Sequence, residues 1–391
     1  MSSRPTRPAQ PGAPLAPLLD YRPALVGGQG VGRYVRELAA ALASTDGVDL
    51  RLFGPTRQRV PRSAPPGARL FAPRLPSKAL TALVGATGLG VERLLGGGDV
   101  VHHTQYRRLP TGRPEVAMIH DLVFLDSDRY VSPRVARRMS AFVREAARRC
   151  AVLLTPSEAV ADEVAERLEV DRSRVRATHL GVDHALRMVA DGTVAARLSA
   201  EVERDGPFLF TAARIETRKN LEVILRALER LGPDAPRWKV AGVPGEGAEA
   251  FEMALAASPV SDRVERLGHV SEGALRAHLD ACSAFVLVPH DEGFGLAPLE
   301  AMAVGCPAIS SDVPVVREVC GGGADLVAPG DDEALAAAIL RALEASGRSA
   351  SSRVDAAAPS RLAVDHASRF TWAATAAQTL AAYRFAARDG A

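Results

Sequence analysis

The residues best equipped for chemistry lie in Pro289-His290-Asp291-Glu292-Gly293-Phe294-Gly295-Leu296-Ala297-Pro298-Leu299-Glu300. The apolar run before them, residues 284–288, reads as a buried strand. Two glycines then let the backbone turn tightly and expose amide groups. Pro298 suits the first turn of a helix, and Gly305 suits the position just past its end. The loop therefore leaves the carboxyl end of a strand and opens a helix, which is where α/β sheets bind ligands. The N–H groups and dipole of such a helix start favour an anion such as phosphate. Glu292 and Glu300 stand eight residues apart, one on each side of the glycines. A carboxylate accepts two hydrogen bonds at once, which fits a sugar diol. Plainer work also suits them: Glu300 can complement the helix dipole, and Glu292 can cap the turn.

A second candidate is Ala213-Arg214-Ile215-Glu216-Thr217-Arg218-Lys219-Asn220, again between an apolar strand and a helix. Arg214 as a fork and Lys219 as a point charge can clamp a diphosphate without a metal, unless they are merely solvated. A third is Leu25-Val26-Gly27-Gly28-Gln29-Gly30-Val31-Gly32-Arg33-Tyr34, a glycine loop at a helix start that lets phosphate approach the backbone. The spacing of Gly28, Gly30 and Gly32 is not the G-x-G-x-x-G of dinucleotide sites. Asp49, at a tempting distance, comes too early in its strand. His120 ends a strand and is placed to hydrogen-bond a sugar hydroxyl. Of His102 and His103, alternation points one inward in a structural role. In Asp126-Ser127-Asp128, helix capping outweighs Mg²⁺ or Mn²⁺ binding. The chain has no G-x-S-x-G, Walker A or H-E-x-x-H pattern.

Strand patterns fall over residues 17–20, 48–53, 100–103, 116–120, 152–155 and 175–179, with helical patterns between them. Val31, Tyr34, Val35, Leu38 and Leu42 share one helix face, and Ser157 caps another helix. The pattern falters over 183–206, a polar stretch with helical patches, expected to link two domains. It restarts with strands over 208–212, 238–241, 263–267, 284–288 and 307–310, and helices over 221–231, 272–281 and 298–304. Such alternation gives an α/β fold, two doubly wound parallel sheets in tandem with a cleft between them. A Ser/Ala-rich stretch, 345–360, reads as a loose connection to a last helix over 372–387. The expected domains are 18–190 and 205–365, with residues 366–387 packing back on the first and residues 1–17 a Pro-rich floppy tail, not a signal peptide.

The whole chain of 391 residues is 47% apolar and 24% charged, so it can bury large cores. No apolar run reaches the roughly 18 residues that span a bilayer. Four cysteines, Cys150, Cys282, Cys306 and Cys320, form no C-x-x-C pair, which indicates neither zinc nor a disulfide framework and fits a reducing cytoplasm. Residues 1–200 carry 29 basic and 19 acidic groups (+10), and residues 201–391 carry 19 and 27 (−8). This asymmetry fits an anionic partner such as a membrane surface or a phosphorylated lipid, or simply an Arg-rich solvated face. The Leu-rich stretch 70–95 and the Arg-rich helix 134–149 are the segments suited to a membrane surface, though both also read as packed helices. Only Lys78, Lys219 and Lys239 are lysines, which marks Lys219 out.

These residues resemble the retaining nucleotide-sugar glycosyltransferases of family 4, with the GT-B fold. The resemblance rests on E-G-F-G-L-A-P-L-E-A-M-A at 292–303 and A-R-I-E-T-R-K-N at 213–220. Supporting it are L-G-H-V-S-E-G-A-L at 267–275, T-P-S-E at 155–158, H-L-G-V-D at 179–183, I-H-D-L at 119–122, G-R-Y at 32–34 and R-F-T-W at 369–372. It implies two Rossmann-like domains and a last helix that returns to the first. It also implies roles: Arg214 and Lys219 neutralise the leaving diphosphate, Glu292 contacts the donor sugar, and Glu300 holds the ribose. Backbone groups of Phe294, Gly295 and Leu296 bind sugar or phosphate, and the backbone at Val270 meets the base. His120 contacts the donor sugar or also the acceptor, and the loop at Gly30 approaches the phosphates. The implied reaction moves a hexose, mannose or rhamnose foremost, from a GDP-, UDP- or dTDP-sugar to a glycan or polyprenyl-phosphate-linked acceptor in envelope polysaccharide synthesis. No metal, no other cofactor and no nucleic acid is expected, and the place of work is the cytoplasm or the inner membrane face. His290 stands where a Ser is usual, and Val315-Val316-Arg317-Glu318 replaces the commoner Pro-Glu form; both bear on sugar choice. Rival readings are a sugar-nucleotide 2-epimerase and a non-catalytic nucleotide-sugar binder.

Overall fold

The computed structural model describes residues 14–26, 30–54, 64–73, 77–87, 89–126, 130–347 and 358–389. The chain forms two compact units: Met1–Leu122 with Arg134–Gly181 and Trp372–Ala391, and Val123–Pro133 with Val182–Thr371.

The first unit holds β1 (Pro17–Asp20), β2 (Arg51–Phe53), β3 (Arg69–Phe71), β4 (Val100–His103), β5 (Glu115–Met118), β6 (Val152–Thr155) and β7 (Val175–Ala177). They lie in the order β3-β2-β1-β4-β5-β6-β7, all parallel. The order reverses between β1 and β4, so the connections leaving those strands diverge and leave a crevice at their carboxyl ends. β1, β4, β5 and β6 are buried along their whole length, as strands of a sheet covered on both faces must be. That burial corrects the expectation for His102 and His103. They point to opposite faces and both are inside, His102 Nδ1 at 2.7 Å from the Tyr383 hydroxyl and His103 Nε2 at 2.8 Å from Glu115. Burial and then the neighbouring His103 and His120 push His102 down to about 3, so it stays neutral. Tyr383 belongs to the last helix, Trp372–Asp389, which packs on helix Val31–Ala43 and on β4, β5 and β6 of this unit.

Two stretches read as suited to a membrane put many of their apolar side chains inward, though Leu83 is exposed. Leu80, Val84, Val91 and Leu95 join Leu18, Phe53, Val101 and Leu109 in one core cluster. Helix Pro133–Arg149 buries Ala136, Phe142, Val143, Ala146 and Ala147 and turns its arginines outward. Among the described residues, no helix is long and apolar enough to cross a membrane.

The second unit holds β8 (Phe208–Ala212), β9 (Arg237–Ala241), β10 (Val264–Gly268), β11 (Ala284–Leu287), β12 (Ala308–Ser311) and β13 (Asp325–Val327) in the order β10-β9-β8-β11-β12-β13. Here the reversal falls between β8 and β11. The buried Thr211 hydroxyl donates to the Val286 carbonyl at 2.5 Å and accepts from Trp238 Nε1 at 2.9 Å, tying β8, β9 and β11 together.

The stretch expected to link the domains holds two helices, His184–Arg187 and Gly192–Asp205, the second packed on helix Glu272–Ala281, and falls within the second unit. Asp191 caps it, accepting from the amides of Thr193 and Val194. The expected tail is shorter at its far end: Leu15 bridges to Val48, Ala16 is buried and Pro17 is in β1, while residues 1–13 lie outside the described residues. Likewise residues 345–347 complete helix Asp332–Gly347 and 358–360 open helix Ala358–Ala367; between them lie residues not described. Strands β3 and β13 go unannounced in the sequence because three residues carry too little alternation to read.

Candidate active site

Residues from the connections after β8 and β11 meet where the second sheet reverses. The backbone builds this meeting first. The His290 amide donates to the Arg218 carbonyl at 2.9 Å. Asn220, held in the left-handed region at φ 52, donates through Nδ2 to the carbonyls of Val288 at 2.9 Å and Pro329 at 2.5 Å. Amides of Ala213 and Ile215 donate to the carbonyls of Ala241 and Val243, each at 3.0 Å. This approach needs Gly242, where a Cβ would stand 1.8 Å from the Ala213 carbonyl oxygen.

On that frame Lys219 Nζ donates to Glu292 Oε1, and Arg218 Nη1 stands 3.7 Å from Glu292 Oε2. The side chains of Lys219 and Glu292 are only 13% and 11% exposed. Burial alone would raise the Glu292 carboxyl. The charges of Lys219 and Arg218, with hydrogen bonds from Lys219 and the Gly293 amide, outweigh it and hold the group below the usual carboxylate range. Glu292 is therefore an anion beside a largely buried cation. Arg218 also reaches Glu216 Oε1 at 3.4 Å. Arg214 does not join the cluster on Glu292: its side chain is 62% exposed and its nearest carboxylate, Glu216, is 4.0 Å away.

Helix Leu296–Ala303 starts two residues before Pro298, from Gly295 at φ 86, a value that favours glycine. Its first amides have no intrahelical acceptor. Phe294 is buried, edge-on to Phe370 at 6.0 Å between centroids, so its backbone is what it can offer a ligand. Glu300 lies on the second turn of this helix, not the first as its spacing from Pro298 suggested. It is buried, and its Oε1 meets His184 Nε2 at 2.8 Å. Val270 is half-buried between β10 and helix Glu272–Ala281.

Two expected residues lie in the first unit. His120 stands two residues past β5, with its ring edge-on to Tyr34 at 5.3 Å. Its Nε2 lies 2.9 Å from the Thr104 carbonyl, which only accepts, so Nε2 carries the proton and Nδ1 keeps its lone pair. Burial lowers its pKa, against the opposing effects of the Thr104 carbonyl and Asp121, and so favours the neutral ring. Tyr106 fixes the turn here: its hydroxyl accepts from the amides of His120 and Asp121 at 3.1 and 2.9 Å and donates to the Asp121 carbonyl. Gly30, at φ 60, precedes helix Val31–Ala43 and its carbonyl accepts from the Tyr34 amide at 3.0 Å. Gly27, Gly28 and Gln29 of the glycine loop, and Ser127 and Asp128 of the Asp-Ser-Asp segment, lie outside the described residues.

Sequence reasoning missed two residues of this site. Arg218 sits inside the segment that drew attention to Arg214 and Lys219. His184 follows directly on H-L-G-V-D at 179–183. No local pattern marks either, because each is defined by a partner 74 or 116 residues away. Among the described residues, no cluster of His, Cys, Asp or Glu could hold a metal ion.

Known proteins share both halves of this arrangement. The family description "Glycosyl transferases group 1" matches residues 197–360, and "Glycosyltransferase Family 4" matches residues 28–186. The chain belongs to the family 4 glycosyltransferases and has the GT-B fold. It is 28% identical to the MMP alpha-(1->4)-mannosyltransferase of Mycolicibacterium hassiacum, over 94% of this chain and 97% of the relative. It is 32% identical to the D-inositol 3-phosphate glycosyltransferase of Stackebrandtia nassauensis, over 59% of this chain and only 53% of the relative. Sucrose-phosphate synthase from Thermosynechococcus elongatus shares the fold with a TM-score of 0.72 and 20% identity, covering 95% of this chain and 98% of that one. Anabaena HepE in complex with UDP and glucose does so with a TM-score of 0.69 and 17% identity, covering 94% and 98%.

Proposed function

We propose that the protein moves a hexose, mannose foremost, from a nucleoside diphosphate sugar to a hydroxyl, with retention at the anomeric carbon. The observation that carries this reading is the Lys219–Glu292–Arg218 cluster at the reversal of the second sheet, next to the amide tip of helix Leu296–Ala303. Breaking a sugar–diphosphate bond puts negative charge on the leaving phosphate and positive charge on the sugar. A site that pairs fixed cations with one fixed carboxylate stabilises both. Lys219 and Arg214 take the diphosphate, Glu292 faces the electron-poor sugar, and the leaving phosphate accepts the acceptor's proton. Amides of Phe294, Gly295 and Leu296 receive sugar hydroxyls or phosphate, Glu300 the ribose, and the backbone at Val270 the base. In the first unit, His120 accepts from a sugar hydroxyl through Nδ1 and the Gly30 turn approaches phosphate.

The similarity to the mannosyltransferase of Mycolicibacterium hassiacum supports mannose, and the solved neighbour in complex with UDP and glucose supports a nucleotide-sugar donor. The exposed arginines of helix Pro133–Arg149 support contact with an anionic membrane surface by charge alone. Incubation with GDP-mannose, UDP-glucose and dTDP-rhamnose, each with simple hexosides, tests the reading. The expected product is a glycoside that keeps the donor's own anomeric configuration by proton NMR. A product of the opposite configuration refutes retention, and a rearranged nucleotide sugar formed without acceptor refutes transfer.

A further inference from the structure

We propose that the first unit carries a binding site for a phosphate-type oxyanion, formed by Arg22 and Arg107 at the carboxyl ends of β1 and β4, with Arg138 of helix Pro133–Arg149 adding positive charge beside Arg107. Arg22 follows β1 by two residues and Arg107 follows β4 by four. These are the neighbouring strands at which the order of this sheet reverses, where a parallel sheet opens a ligand crevice. Arg22 is 6% exposed. Its Nε and Nη2 bind the two carboxylate oxygens of Asp20, and Nη2 also lies 3.5 Å from the Arg107 carbonyl. Its guanidinium carbon lies 5.8 Å from the centroid of the Phe53 ring. The remaining nitrogen, Nη1, is buried and has no hydrogen-bond partner. A buried donor without an acceptor is costly, so its persistence at a crevice points to a ligand that accepts from it.

The surrounding charge says which kind. Arg107 is half-buried, and its cation is disfavoured first by that burial and then by repulsion from Arg22 and Arg138, which Asp20 offsets only in part. Neither Arg107 nor Arg138 makes a side-chain hydrogen bond or ion pair among the described residues. Arg22 and Arg107 thus both face the one carboxylate of Asp20, which accepts in addition from Gln105 Nε2 at 3.4 Å, while Arg138 adds a third positive charge near Arg107. A neutral sugar hydroxyl leaves that excess charge in place. A phosphate cancels it and has lone pairs enough for all three forks. The site needs nothing from the second unit. Only the identity of that anion as a phosphate on the sugar acceptor rests on the sugar-transfer reading.

Calorimetric titration of the full chain with inorganic phosphate and with glucose 6-phosphate tests the site. Sedimentation with phosphatidylglycerol–phosphatidylcholine vesicles tells a soluble phosphate from a headgroup. Arg107→Ala should weaken the binding about tenfold or more, Arg138→Ala less, and Arg107→Lys should keep part of it, since charge remains without the fork. UDP and GDP binding should not change. Arg22 itself is left intact, because breaking its buried pair with Asp20 would threaten the fold. Vesicle binding alone, lost in Arg107→Ala, assigns the same site to a headgroup. No binding to any of the three probes, or equal binding in Arg107→Ala, overturns the proposal. Intact phosphate binding in a protein that ignores every nucleotide would strike the sugar-transfer reading and leave this site standing.

Discussion

Glu292→Gln should make the protein hold a free nucleoside diphosphate more tightly while slowing transfer. Glu292 is ionised and occupies Lys219, the cation assigned to the diphosphate. A phosphate oxygen and a carboxylate oxygen that share one ammonium stand about 5 Å apart. With both side chains mostly buried but near the surface, an effective dielectric constant of about 40 gives about 1.7 kcal/mol of repulsion for one charge pair. Removing it should tighten UDP or GDP roughly fifteenfold. Gln keeps the shape and an oxygen for Lys219, so the fold should persist. Turnover should fall, because the sugar's positive charge loses its counter-charge. Calorimetric titration of wild type and variant with UDP and GDP at low salt measures the first effect, and initial rates measure the second. Equal or weaker nucleotide binding in a variant with unaltered thermal unfolding would refute the shared use of Lys219.

The remaining predictions test other parts of the chain. Arg214→Ala and Lys219→Ala should each remove one charge-assisted contact, about 1.5–3 kcal/mol or roughly 10- to 150-fold in kcat/KM, and near-normal kcat/KM would exclude the role. Transfer should continue in EDTA, since side-chain cations neutralise the diphosphate; a strong loss on chelation would count against this scheme. His184→Ala should remove the contact that His184 makes with Glu300 and raise the Kd for the nucleotide sugar about three- to tenfold, whereas an unchanged Kd would confine the pair to structure. Glu115→Gln should cost about 2–4 kcal/mol in urea unfolding, because Arg108 Nε and Nη2 each bind the carboxylate at 2.6 Å inside the first unit. Burial opposes that carboxylate, but His103 and Arg108 hold it below the usual range. Its stabilisation is therefore full above the unfolded value of about 4.3 and fades as pH falls through the lower folded value. The variant should lose less stability than wild type between about pH 5 and pH 3, and parallel curves would refute the assignment.

Sequence by itself determined the local grammar. Apolar runs that end in a glycine, an arginine or a histidine and lead into an amphipathic helix are statements about adjacent residues. They correctly announced eleven of the thirteen strands among the described residues, a helix after the Glu-Gly-Phe-Gly loop, and the family. What only the tertiary structure decided is which distant residues share a charge. Lys219 and Arg218 converge on Glu292 because β8 and β11 are neighbours at a reversal of strand order, and that adjacency is written nowhere in either segment. The same reason explains His184 on Glu300, His102 on Tyr383, and Arg107 beside Arg22. Period-2 alternation foresaw the opposite directions of His102 and His103 but not their shared burial, because whether both faces of a sheet are covered depends on helices far away in the chain. Propensity acts over a few residues, whereas the partners of a buried charge are fixed by how whole elements stack.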